Sequence, residues 1–106
     1  MAVDPTDAES ALNWLENNAK RHAALYGESL RKERAIDKIE ALLIKGMANQ
    51  NVPATLRKPY ARADDRYIHA LDEATEAKIK LVEHEDLRDV AKLRISLYQS
   101  QVKDRL

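Results

Sequence analysis

The run Asn49-Gln50-Asn51-Val52-Pro53-Ala54-Thr55-Leu56-Arg57-Lys58-Pro59 decides the fold, because it gathers two of the chain's three prolines just after Gly46, one of its two glycines. Proline lacks an N–H and pushes the preceding residue out of the α region, so this run is not expected to form one regular helix. A short helical turn after Pro53 fits the spacing. Outside the run only Pro5 and Gly27 remain as strong breakers. The two flanking segments are rich in Ala, Leu, Glu, Lys and Arg, which lose little side-chain freedom in a helix, and neither alternates with the period of a strand. The reading is all-α. A helix over about residues 5–48, a connector over about 49–59 and a helix over about 60–104 fold back as one long antiparallel, coiled-coil-like hairpin domain, 1–106.

The first helix has a legible start. Asp4 is a good N-cap, Pro5 suits the first helical position, and Asp7 and Glu9 favour the positive end of the helix dipole. Its inner stripe is expected along Leu12, Leu15, Ala19, Ala23, Tyr26 and Leu30, drifting to Ile36, Ile39, Leu43 and Met47. Gly46 and Asn49 offer the stop. Gly27 is expected where backbones approach closely, since an interior glycine costs about 1 kcal/mol against alanine. On the second helix, Tyr60, Ala63, Tyr67, Ala70, Leu71 and Ala74 are inner candidates, followed by Ala77, Leu81, Val90, Leu93 and Leu97.

Composition narrows the function. The chain has 106 residues, 44% hydrophobic and 34% charged, which leaves room for one domain with a modest core. Cysteine is absent, which removes disulfide scaffolds, thiolate zinc sites and thiol nucleophiles and suits a reducing cytoplasm. The longest apolar run is Ala41 to Ile44, so neither a signal peptide nor a membrane span is expected. Two helices alone bury one stripe each, whereas Leu25, Ile44, Ile68, Ile79, Val82, Leu87 and Ile95 supply apolar groups beyond it. A homo-oligomer is therefore expected.

The charges balance in sum, 18 against 18, but not in place. Residues 20–38 are mainly basic (Lys20, Arg21, Arg31, Lys32, Arg34, Lys38) and residues 72–86 mainly acidic (Asp72, Glu73, Glu76, Glu83, Glu85, Asp86). Folding back near residue 54 would set these blocks opposite each other. It would also set Arg88, Lys92, Arg94, Lys103 and Arg105 opposite Asp4, Asp7, Glu9 and Glu16. Such exposed pairs choose a register more than they stabilise it.

The unmatched charge collects at the bend. Lys45, Arg57, Lys58, Arg62 and Arg66, with Tyr60 and Tyr67 among them, form the candidate nucleic-acid-binding set. Lys and Arg neutralise phosphates, while unstacked bases lie on aromatic rings. The competing reading is a solvated helix start with its tyrosines packed into the hairpin. Other chemistry is thinly represented. His69 and Glu73 stand one turn apart, but no second pair completes a metal site, and no glycine-rich turn presents a nucleophile or cradles a phosphate. Neither enzymatic activity, nor a cofactor, nor a metal is expected. His22 reads as a core-edge residue, His84 as a surface residue among acids, and Trp14 as part of the hairpin-end core.

Leu30-Arg31-x-Glu33 midway along the first helix, Asp65-Arg66-Tyr67 opening the second, and the Ala-, Lys- and Glu-rich stretch between Ala74 and Leu97 resemble the UvsY-type recombination mediators of bacteriophages. The overlap in pattern covers roughly residues 12–100. The resemblance implies a helical hairpin that assembles into a ring, binds single-stranded DNA, and loads a RecA-like recombinase in place of a single-strand binding protein. It would place the chain in the cytoplasm of a bacterial host. The family's basic pair late in its first helix has no clear counterpart here, since Glu40 to Ile44 carries no basic residue and only Lys45 follows. Two other classes fit a helical hairpin: an adaptor or inhibitor that binds a host protein without nucleic acid, and a secretion-type structural hairpin. The last often carries a Trp-x-Gly turn, which this chain lacks.

Overall fold

The computed structural model describes residues 5–105, so the cap expected at Asp4 lies outside the described residues. Among those described there are three helices and no strand: α1 Pro5–Asn49, α2 Ala54–Ala63 and α3 Asp65–Asp104. The chain divides into two compact units. One joins α1 through Leu25 to α3 from Leu81 onward, and the other is Tyr26–Lys80.

In each unit α1 and α3 run antiparallel. In the first, Ala11 and Arg94 border one groove, whereas His22 stacks on His84. In the second, Lys32 bonds Glu73 across the pair at 2.6 Å, and Ile36 shares a groove with Leu71. The inward positions step by three and four residues, the 3.5-residue repeat of a coiled coil. In the first unit α1 turns in Ala8, Ala11, Leu15, Asn18, His22 and Leu25, and α3 turns in Leu81, His84, Arg88, Ala91, Ile95 and Tyr98. In the second unit α1 turns in Ser29, Lys32, Ile36, Ile39 and Leu43, and α3 turns in Tyr67, Ala70, Ala74 and Ala77.

This seam differs from the expected stripe over much of its length. Leu12 and Tyr26 are half exposed, as are Val90, Leu93 and Leu97, while Leu25 and Ile95, expected outside, face inward. Ala19, Ala23 and Ala63, also expected inside, are exposed. Packing instead selects the positions where alanine, serine and even histidine allow close approach. Ser29 and His84 are each 5% exposed, so His84 belongs to the core and not to the surface.

The bend also differs in detail. Helix α1 runs past Gly46 and ends at Asn49, one of the two expected stops, and Asn51 behind it turns into the left-handed region at φ 61°. The Asn51 N–H bonds the Ala48 carbonyl at 3.2 Å and the Val52 N–H bonds that of Met47 at 3.0 Å, the paired bonds of a Schellman stop. Helix α2 then starts after Pro53 and includes Pro59, which the sequence reading placed in the connector. Pro59 leaves the carbonyl four residues back, on exposed Thr55, without its helical donor. The second long helix starts at Asp65, not near Tyr60, because Asp64 adopts an extended conformation (φ −70°, ψ 139°).

Gly27 does not mark a close backbone approach. A Cβ there would meet only the Arg31 guanidinium at 3.5 Å, and one at Gly46 would meet nothing within 4 Å. Both glycines are helical, so Gly27→Ala and Gly46→Ala should each raise stability by about 0.5–1 kcal/mol. Urea unfolding followed by circular dichroism checks this; a loss of stability in Gly27→Ala would restore the close-packing reading.

Candidate nucleic-acid interface

The candidate residues fall on three elements of the Tyr26–Lys80 unit. Lys45 lies near the end of α1, Arg57, Lys58, Tyr60 and Arg62 on α2, and Arg66 and Tyr67 in the first turn of α3. On α2 the buried residue is Ala61, and half-buried Arg57 shares its side of the helix. Lys58 and Arg62, four residues apart, share another face, which is exposed.

The cations differ in how they are engaged. Arg62 Nε donates to Glu40 Oε2 at 3.2 Å. Arg66 grips Asp64 through both Nε and Nη2 at 3.0 Å, and the Arg66 backbone N–H donates to Asp64 Oδ1 at 2.8 Å. Asp64 thus caps α3 and neutralises the first cation of that helix. The Arg66 side-chain bond lowers the Asp64 pKa, and the same bond raises that of Arg66. Arg57 Nε donates to the Val52 carbonyl at 2.8 Å, which orients it against the bend without spending its charge on an acid. Among the described residues, Lys45, Arg57 and Lys58 make no ion pair with a carboxylate.

The tyrosines separate in the same way. Tyr60 is 53% exposed and presents its ring to solvent, whereas Tyr67 occupies a half-buried seam position. Tyr67 therefore packs between helices, as the competing reading expected.

No family model, curated protein or solved structure matches this chain. The site must therefore be read from its own geometry.

Two features lay outside the sequence reading. Leu42 is 69% exposed and stands with Ile39, Leu43, Arg66 and His69 around an apolar groove of about 280 Å³. Its signal was present as a leucine just off the inner stripe, but nothing in the spacing marked it as exposed. The second feature is the pair of acids, Glu40 and Asp64, that quench two of the five expected cations. His69 and Glu73 do meet, at 2.7 Å, but Glu73 also holds Lys32, and no third ligand stands with them among the described residues. The Lys32 bond lowers the Glu73 pKa, and the same bond raises that of Lys32.

Of the expected cross-helix charge pattern, Lys32–Glu73 is the one ion pair between the two blocks among the described residues. The acids Asp7, Glu9 and Glu16 form none with the basic C-terminal block.

Asp64→Ala should release both the cap and Arg66, so amide exchange at Arg66 and Tyr67 should accelerate while that at Ala77 stays unchanged. Acid should act similarly. A carboxyl with a depressed native pKa stabilises fully above its ordinary value of about 4, and the effect fades as pH falls through the native value. Hydrogen exchange between pH 6 and pH 3 reads both effects.

Proposed function

We propose that this chain is a non-catalytic, self-associating helical protein that binds single-stranded DNA at its α2 tip, as an accessory factor of phage-type homologous recombination. The observation that carries the DNA reading is the set of Lys45, Arg57 and Lys58, cations without carboxylate partners, in the same bend as the exposed Tyr60 ring. Phosphates would take the cations and a base would lie on the ring, a sequence-tolerant mode that needs no hydrogen-bond readout. Arg62 and Arg66 become secondary contacts, available when phosphate competes with Glu40 and Asp64.

Self-association is supported by the outer face of α3. Val82, Leu87, Val90, Leu93 and Leu97 are all exposed there, and no large side chain in the chain is fully buried among the described residues. A helix pair with so thin a core gains most from further apolar contact. An assembled rim of α2 tips would multiply a weak single site. A RecA-like recombinase or a single-strand binding protein is the partner class this role requires, following the resemblance to UvsY-type mediators.

The same apolar face favours a second reading, in which α3 docks on a host protein and nucleic acid plays no part. The two separate cleanly by experiment. In the first, a fluorescent oligonucleotide binds with log affinity falling against log salt at a slope of about −2 per subunit engaged, as three phosphate contacts require. The Lys45→Glu, Arg57→Glu, Lys58→Glu variant loses that binding with its helicity intact. Sedimentation at micromolar concentration gives a mass of several chains. Absence of binding at low salt overturns the DNA reading, and a single-chain mass overturns self-association.

A further inference from the structure

The unit that joins the start of α1 to the end of α3 contains a cluster that the proposed function does not use. His84 is 5% exposed and lies between two rings: Trp14 at a centroid distance of 5.3 Å, and His22, stacked at 5.6 Å and 21° between planes. His22 Nδ1 and His84 Nε2 are both buried without a hydrogen-bond partner. The orphaned nitrogens leave a seam that disfavours charge on His84, because a buried charge without a counter-ion is far costlier than a buried neutral ring.

The surroundings sharpen that condition. The charged groups acting on His84 are Arg21 and His22 from α1 and Arg88 from its own helix, all basic or able to become so. Asn18 faces it from α1: its side chain is committed to the Trp14 carbonyl at 2.9 Å, and its backbone hydrogen-bonds His84, a contact that favours the charged ring but is outweighed by burial and the neighbouring cations. The nearby acids in sequence are Glu16 on α1 and Glu83, Glu85, Asp86 and Asp89 on α3. None lies within 4.0 Å of either imidazole. Burial first, then these neighbouring cations, hold the His84 pKa below its ordinary value of 6.5.

We propose that His84, buried between Trp14 and His22, is an acid-released clasp: uncharged and stacked, it closes residues 8–25 of α1 on residues 81–98 of α3, and proton uptake by His84 opens that pairing. The sign follows from linkage. A group that binds its proton more weakly when folded stabilises the closed form above its ordinary pKa, and that stability is lost as pH falls below it. The Tyr26–Lys80 unit has no such element. Its one imidazole, His69, is exposed and faces Glu73 at 2.7 Å.

Trp14 is the single tryptophan and touches His84, so its emission reports the clasp directly. On the full chain, hydrogen exchange corrected for intrinsic rate should show the opening constant of segments 8–25 and 81–98 rising about tenfold per pH unit below about pH 6.5. Trp14 emission should change over the same range, while exchange in 32–43 and 67–77 stays flat. His84→Leu should remove the pH dependence. Arg88→Glu, which keeps both imidazoles and supplies a counter-ion, should weaken it and serves if the leucine variant does not fold. Opening constants that stay constant from pH 7 to pH 5 in the natural sequence would overturn the clasp, as would an unchanged acid transition in either folded variant.

Discussion

Everything in this fold depends on how closely α1 and α3 can approach. The spacing of two packed helices is set by the side chains at their contact. Here small groups, Ala8, Ala11 and Ala91 in one unit and Ser29, Ala70 and Ala77 in the other, alternate with the larger Leu81, His84 and Leu43. The small groups let the helices approach, and the larger ones fill the space between them. Leucine or valine inserted at the alanine positions would force the helices apart. Val82, Leu93 and Leu97 of α3 stay exposed.

The polar seam positions follow from the same closeness. Lys32 lies between helices with its stem covering apolar surface and its ammonium delivered to Glu73, an arrangement available to a long flexible side chain at the margin of a narrow seam. Arg88 and Asn18 are half-buried in comparable positions. The seam thus mixes apolar positions such as Leu43 and Leu81 with a few polar ones, Ser29 and His84 among them, while several large apolar side chains of α3 remain exposed.

That mixed seam explains what the sequence disclosed and what it hid. The all-α class was legible from the placement of Gly46, Pro53 and Pro59, and the antiparallel return within each unit from the bend they mark. The rotation of each helix was legible only in part. Ile36, Ile39 and Leu43 lie where the apolar spacing put them, as do Tyr67, Ala70, Ala77 and Leu81. Toward the termini the richest stripe and the true seam diverge, and only the three-four spacing of small residues could have separated them. The break at Asp64 was hidden because an extended aspartate needs neither glycine nor proline. At the bend the basic residues themselves were legible, but their pairing was not. Glu40 precedes Arg62 by 22 residues, and only the fold puts them together.

The compact reversal between Asn51 and Asp64 also orders the search for the native state. Contacts beside it close short loops, as Glu40 with Arg62 does, separated by 22 residues. Lys32 with Glu73 closes one of 41. Trp14 with His84 joins residues much further apart along the chain. Loop-closure entropy rises with each step, yet each step is small once the preceding pair has formed. Chain entropy therefore favours the contacts nearest the bend, and the ring cluster of Trp14, His22 and His84 closes the longest loop of the three.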